Sequence, residues 1–190
     1  MLDFLINIDT QIFYFVNLKL QNGLFDFLMV FLTKKSNWMI PLWIAWLVLF
    51  ILGKKKGRIV ALLLLVTIAV SDQVSAQLIK KWVGRIRPCN VLENVHLLVG
   101  CTQAFSFPSA HASNLFASAT LLCRSYKSFT PVFLVIAFLV SFSRIYVGVH
   151  YPFDVLAGGI LGFISASFVL FIFNFINTRT TILGRKKLLE

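Results

Sequence analysis

Three short stretches hold most of the side chains in this sequence that can do chemistry. They are Lys80-Lys81-Trp82-Val83-Gly84-Arg85-Ile86-Arg87-Pro88, then Phe107-Pro108-Ser109-Ala110-His111, and last Ser143-Arg144-Ile145-Tyr146-Val147-Gly148-Val149-His150-Tyr151-Pro152-Phe153-Asp154. Together they supply cations in Lys80, Arg87 and Arg144, two histidines in His111 and His150, a hydroxyl in Ser109 and a carboxylate in Asp154. That inventory suits phosphoryl transfer, in which negative charge spreads over three equatorial oxygens and several fixed donors must surround one point. One histidine has to be neutral to attack phosphorus while the other holds a proton for the departing oxygen, so the two need different surroundings. Asp154 is close enough in sequence to engage one nitrogen of His150, and His111 has no such neighbour. Ser109 is placed to N-cap a following helix whose first-turn N–H groups and dipole make an anion site. Taken alone, Arg144 and His150 read equally well as helix-end side chains snorkelling to a membrane interface, with Asp154 as a cap. The other two stretches favour chemistry.

The elements that must position these stretches are membrane helices. The chain has 190 residues, 58% hydrophobic and 13% charged, at a mean hydropathy of +0.85, which excludes a soluble domain. Its formal charge of +11 falls in short clusters between apolar runs, as topology signals do, and no aromatic-interleaved basic patch suggests a nucleic-acid partner. The expected architecture is all-α: one polytopic domain over residues 1–190, a six-helix transmembrane bundle with an N-terminal interfacial helix. Residues 2–18, interrupted by Asp3, Asn7, Asp9, Gln11 and Asn17, read as that interfacial helix. Residues 24–32 are too short to cross alone, so the two pieces make at most one tilted or broken span. Further spans are expected at 38–52, 59–79, 108–123, 131–150 and 153–176. Pro152 should end the helix that carries Arg144 and His150 and open the next, with Asp154 in its first turn. The part of the 59–79 span with Ser71, Asp72, Gln73, Ser75 and Gln77 should face other helices or water, Asp72 bonding a neighbouring helix. Residues 1–20 do not read as a removable signal peptide, and Leu189-Glu190 reads as a cloning remnant.

The basic clusters at 54–58, at 124–127 and in the tail (Arg179, Arg185, Lys186, Lys187) alternate to lie on one side, cytoplasmic by the positive-inside rule. Lys80, Ser109 and His150 then share the opposite face. Lys34, Lys35, Lys80, Lys81, Arg85 and Arg87 break the rule there, and cations concentrated on the wrong side point to a bound anion. The polar connection 82–107 is long enough to suspect function. Within it, residues 91–100 read as a lid lying on the membrane or as a plain loop, Arg85 as a second phosphate contact or a solvated arginine, and His96 as a surface residue without a partner. Cys89 and Cys101, on the outer face and closing a short loop, are expected to pair, leaving Cys123 near the cytoplasmic end.

With these residues the sequence resembles the type 2 phosphatidic acid phosphatases (PAP2), membrane relatives of the vanadium haloperoxidases. The family pattern is Lys, six residues, Arg-Pro; then Pro-Ser-Gly-His; then Ser-Arg, five residues, His, three residues, Asp. Here it reads Lys80 to Arg87-Pro88, Pro108-Ser109-Ala110-His111, and Ser143-Arg144 to His150 to Asp154. The likeness covers residues 60–176 in motif and span order, and Ala110 in place of the usual Gly is its one departure, a methyl that narrows the approach of phosphate to the backbone. The resemblance implies that Lys80, Arg87, Ser109, Ala110 and Arg144 bind phosphate. It also implies that His150 is the nucleophile that becomes a phosphohistidine, Asp154 its orienter and His111 the acid for the leaving group, with no metal or other cofactor. The implied protein is a lipid phosphatase of a bacterial inner membrane whose active site faces the periplasm, acting on lipid A 1-phosphate or undecaprenyl diphosphate. Phosphatidylglycerol phosphate and phosphatidic acid are the alternative substrates, and a non-enzymatic lipid or anion transporter that kept the site is the competing class. The oligomeric state is left open.

Overall fold

The computed structural model describes residues 2–182, with side chains over 3–178. Arg185, Lys186, Lys187 and Leu189-Glu190 lie outside the described residues, as does the side chain of Arg179. In hydrocarbon every backbone amide must be bonded within the protein, and all the regular elements among the described residues are helical. Helix α1 (Leu2–Tyr14) runs on into π-helical turns over Phe15–Lys19, and α2 (Gly23–Thr33) is opened by Asn22, whose side chain accepts from the Phe25 amide at 3.0 Å. Helix α3 is Lys35–Leu52; α4 (Lys54–Asp72) continues through π-helical turns Gln73–Ile79 into α5 (Lys80–Val83); α6 is Pro88–Val91. Then come α7 (Ala110–Ser125), α8 (Thr130–Tyr146) and α9 (Pro152–Ile182).

Four helical stretches, Lys35–Leu52, Lys54–Val91, Lys127–Tyr146 and Pro152–Thr178, are long and apolar enough to cross a bilayer, which makes this a multi-pass membrane protein. Helices α1 and α2, bent by 116° to each other, pass that test only as one broken unit. Helix α7 has 16 residues and is enclosed by α9, α4 and α8. Its buried Ala112, Ser113, Ala117 and Ala119 are the small residues that let helices approach where no hydrophobic force drives them together. A Cβ on Gly162 of α9 would collide with the Ser113 carbonyl oxygen and lie 2.8 Å from the Ala117 nitrogen. Gly162→Val should therefore wedge the bundle apart, an overpacking cost of about 1–3 kcal/mol or more. Thermal unfolding in detergent will read this as a clearly lowered Tm, and an unchanged Tm would refute the tight α7–α9 contact.

The polar half of the 59–79 span divides by helical face. Ser71 Oγ lies 2.6 Å from Ser113 Oγ, and Asp72 Oδ1 accepts from Asn114 Nδ2 at 3.1 Å, so Asp72 does bond a neighbouring helix. Ser75, four residues after Ser71, is also buried. Gln73 and Gln77 are exposed, because residues two apart point to opposite sides of a helix. The expected 131–150 helix is also shorter than predicted. It stops at Tyr146, because Gly148 takes a left-handed φ of +86° and a Cβ there would sit 2.7 Å from Val95 Cγ1. His150 thus lies in the turn 147–151 rather than on a helix. Pro152 opens α9 as expected, with Asp154 in its first turn.

Lys56 Nζ sits 5.6 Å from the Tyr126 ring centroid, which brings the 54–58 and 124–127 basic clusters to one end of the bundle. At the other end, two of the five polar residues that interrupt the first apolar segment, Asp9 and Asn17, face inward, while Asp3, Asn7 and Gln11 are exposed. Asp9, Phe13 and Asn17 are fully buried. Asn17 Nδ2 donates to the carbonyls of Tyr146 at 2.7 Å and His96 at 2.9 Å, and Asn17 Oδ1 accepts from the His96 amide at 2.9 Å. His96 is not partnerless: its Nε2 is 3.0 Å from Asp26 Oδ1, which also accepts from Tyr146 Oη at 2.7 Å. Those partners come from α2 and the end of α8, so no local pattern could announce them. Of the apolar side chains in residues 91–100, Leu92, Val95, Leu98 and Val99 pack on the core cluster that includes Phe13, Val147 and Val149, while Val91 and Leu97 are exposed. Cys89 and Cys101 form a disulfide and Cys123 is free.

Candidate active site

The three motif stretches converge at the end of the bundle away from Lys56. Lys80, half-buried, sits where the π-helical turns pass into α5; Arg87 precedes α6; Ser109 and Ala110 begin α7; Arg144 ends α8. Lys80, Arg87 and Arg144 are within electrostatic reach of one another, and His111 is within reach of Arg144, His150 and Arg87. The fold thus brings together all eight residues singled out in the sequence.

His150 is 1% exposed, and its Nδ1 stands 3.4 Å from both Asp154 Oδ2 and Ser106 Oγ. Asp154, fully buried, is held on both oxygens. Oδ2 accepts from the Tyr151 amide at 2.9 Å and from Ser106 Oγ, and Oδ1 accepts from Arg85 Nη1 at 2.8 Å. Its carbonyl accepts from the Ser109 amide at 2.9 Å, which ties the start of α9 to the start of α7. Burial pushes the His150 imidazole down to about 4, with Arg87 and Arg144 acting the same way and Asp154 opposing them, so the ring is neutral at ordinary pH.

Arg87 is fixed by two carbonyls, Nε donating to Ala104 at 2.8 Å and Nη1 to Val149 at 3.3 Å. Arg144 Nη1 donates to Thr33 Oγ1 of α2, while its Nε is buried without a hydrogen-bond partner. Ser109 Oγ and His111 Nε2 are also buried and unpaired. Unpaired buried polar atoms are rare and costly, and three of them fall among the motif residues. Ser109 stands at the N-cap of α7 as expected, and its hydroxyl bonds no first-turn amide. Those amides stay open toward a ligand. Ala110 is the first residue of α7 and is not among the positive-φ residues, so its methyl is tolerated there. Beside Ala110 and His111 a cleft of about 370 Å³ runs between α2, α3, α7 and α8, walled by apolar side chains such as Leu42, Leu115 and Val140, with Thr33, Lys35 and Asp72 at its polar parts. Apolar walls beside His111 and Lys35 suit an amphiphile with a polar head.

Asp9, Thr33 and Ser106 belong to this cluster and were not anticipated as site residues. Asp9 had one signal, a carboxylate inside an apolar helix, while Ser106 and Thr33 had none. Arg85 matches neither expected reading. It is half-buried and engaged on both terminal nitrogens, since Nη2 lies 2.6 Å from Asp9 Oδ2, Nη1 reaches Asp154, and the guanidinium carbon is 3.8 Å from the Tyr151 ring centroid.

An all-helical membrane bundle that aims a buried His–Asp pair, three cations and a helix N-terminus at one point has the layout of a membrane enzyme for phosphate esters. Residues 58–179 match the PAP2 superfamily, and the chain belongs to that family of membrane lipid phosphatases. The chain is 36% identical over 173 residues to a lipid A 4'-phosphatase of Bacteroides thetaiotaomicron, an alignment spanning 85% of this chain and 75% of that protein. It is 34% identical over 159 residues to an undecaprenyl-diphosphatase of Sulfolobus acidocaldarius, with 83% and 74% covered. The crystal structure of a transmembrane PAP2-type phosphatidylglycerolphosphate phosphatase from Bacillus subtilis matches with a TM-score of 0.71 at 26% identity, covering 90% of this chain and 87% of that one.

Proposed function

We propose that this chain is a metal-independent lipid phosphatase of a bacterial inner membrane, cleaving a phosphate monoester or diphosphate at the periplasmic face through a phosphohistidine on His150. The observation that carries this reading is the buried His150–Asp154 pair set among Lys80, Arg87 and Arg144. Asp154 and Ser106 hold Nδ1, leaving Nε2 to attack. As the bond from Nε2 to phosphorus forms, the bond to the leaving oxygen breaks, and His111 gives that oxygen a proton. Asp154 supports the positive charge that grows on the ring. Lys80, Arg87, Arg144, the Ser109 hydroxyl and the amides of the turn that begins at Ala110 take the phosphoryl oxygens. Water, deprotonated by His111, then releases phosphate from His150.

Lipid A phosphate and undecaprenyl diphosphate are the favoured substrates, supported by the relatives that carry those names and by the apolar cleft beside His111. Phosphatidylglycerol phosphate is the next choice, ahead of phosphatidic acid. The Cys89–Cys101 disulfide supports an oxidising, periplasmic setting for this end, and the basic clusters at the far end support a cytoplasmic one there. The whole chain, residues 1–190, is one domain with its core at 60–176. Its six bundle members are the bent α1–α2 unit, α3, α4 with α5, α7, α8 and α9, and α1 lies along the outer interface.

The test is phosphate release from a panel of lipid phosphates by detergent-purified protein. Release should persist in excess chelator and be blocked by vanadate, whose five-coordinate form mimics phosphorus in transit. Loss on chelation, restored by Mg²⁺, would overturn the metal-independent site, and no release from any lipid phosphate would favour the transporter class. The pH profile gives a further check. The neutral ring attacks, so activity is present above the imidazole's own value and is lost as pH falls through it. The acid limb of kcat/KM, corrected for ionisation of the substrate, is expected near 4 rather than at the ordinary 6.5. A limb at the ordinary value would contradict the buried, neutral His150.

A further inference from the structure

We infer that Asp9, on the N-terminal helix and outside the matched family region, is a positioning residue that acts through Arg85 on the Asp154–His150 pair, so that α1 completes the active site. This role rests on the reading of His150 as nucleophile. Asp9 is fully buried, and both of its oxygens reach the site. Oδ2 is 2.6 Å from Arg85 Nη2, and Oδ1 accepts at 2.8 Å from the amide of Phe153, the residue before Asp154. Arg85 spans two carboxylates, with Nη1 on Asp154 Oδ1 at 2.8 Å and its guanidinium face over Tyr151. The rigid guanidinium fork fixes this double engagement in one geometry, which the rotatable donors of an ammonium do not.

A buried ion pair is a poor device for stability alone, because apolar packing does as well without the desolvation cost. Here the pair bears on the carboxylate that holds the nucleophile. Arg85 carries one positive charge between two acids. Asp9 draws part of it away, so Asp154 keeps more of its negative charge for the imidazolium that develops on His150 during attack. Without Asp9 the whole charge of Arg85 falls on Asp154, which then supports His150 less and is free to shift toward Arg85. A purely structural Asp9 would only anchor α1 to the start of α9.

The experiment is a double-mutant cycle on the full chain in detergent, with Asp9→Asn, Asp154→Asn and the double variant assayed on an aryl phosphate and a lipid phosphate. Asp9→Asn keeps the shape and the hydrogen bond to the Phe153 amide but removes the charge. It is expected to lower kcat on the order of tenfold with little change in KM, as loss of positioning does. The acid limb of its pH profile should move to lower pH, because a better-neutralised Asp154 raises the basicity of His150 less. The other charged or titratable groups facing His150 are Arg87 before α6, Arg144 on α8 and His111 on α7, and Asp9→Asn alters none of them. Asp9→Glu should recover part of the rate. In the Asp154→Asn background Asp9→Asn should cost less than about twofold, since its route to His150 is gone. Additive losses with an unmoved acid limb, or wild-type kinetics for Asp9→Asn, would overturn the role. If Asp9→Asn does not fold, Arg85→Lys in the same cycle decides, the same non-additivity being expected. A wild type that releases no phosphate from any substrate would overturn the proposed function as well, whereas an active wild type matched by Asp9→Asn overturns this inference alone.

Discussion

His150→Ala is expected to abolish phosphate release from every substrate, lowering turnover on the order of 10⁴-fold or more, the scale seen when a nucleophile is removed from a preorganised site. No neighbour can take over. Asp154 is committed on both oxygens, to Arg85 on one and to Ser106 and the Tyr151 amide on the other. Ser109 Oγ is unpaired and has no base of its own in hydrogen-bond reach to activate it. The cations remain, so the variant should still bind phosphate and vanadate while failing to turn over. Asp154→Asn should fall between, because it leaves the imidazole in place but poorly oriented and without its counter-charge. Acid-labile, base-stable labelled phosphate should be trapped on the peptide that contains His150 in wild type and be missing from the variant. Aryl phosphate turnover that survives His150→Ala in folded protein would move the nucleophile elsewhere.

How much of this was legible depends on whether a residue's role was local. Lys80, Arg87, Ser109, Arg144, His150 and Asp154 sit in short patterns set by helix ends, and Pro152 fixes the start of α9 through a rule that needs no tertiary context. The end of α8 was not legible. Nothing near Tyr146 breaks a helix except Gly148, and a lone glycine in an apolar run is ambiguous until Val95 is found packed against it. Helix α1 shows the same limit. Asp9 and Asn17 in an apolar helix read alike whether they meet headgroups or a protein interior, and only Arg85, Tyr146 and His96, all distant in sequence, decide between the two. Helix α7, expected as a span, is rich in small and polar residues because its surface is matched to other helices rather than to lipid, which selects Ala, Ser and Asn over Leu. The unpaired hydroxyl of Ser109 was hidden for a different reason: serine at an N-cap position normally caps, and here its side chain bonds no first-turn amide.

His111→Ala separates the two histidines, since its effect should depend on the leaving group. A lipid alkoxide leaves poorly unless protonated, so loss of the acid should cost on the order of 10²–10⁴-fold on a lipid monophosphate. An aryl oxide needs less help, and a departing phosphate carries its charge on several oxygens, so both should be partly spared. The surroundings of His111 fit this division. Its Nε2 is buried and unpaired, it lines the cleft where the rest of the lipid would lie, and Lys35 on the same wall is within electrostatic reach. Lys35 can take part of the charge of a departing phosphate even when His111 is absent. The measurement is the ratio of turnover on an activated aryl phosphate to turnover on a lipid monophosphate, taken for wild type and each variant after thermal unfolding confirms that the fold is retained. That ratio should rise sharply for His111→Ala and have no meaning for His150→Ala, which turns over neither. If His111→Ala loses both activities equally while His150→Ala keeps the aryl activity, the roles of the two histidines are reversed, and the buried contact with Asp154 orients a proton donor rather than a nucleophile.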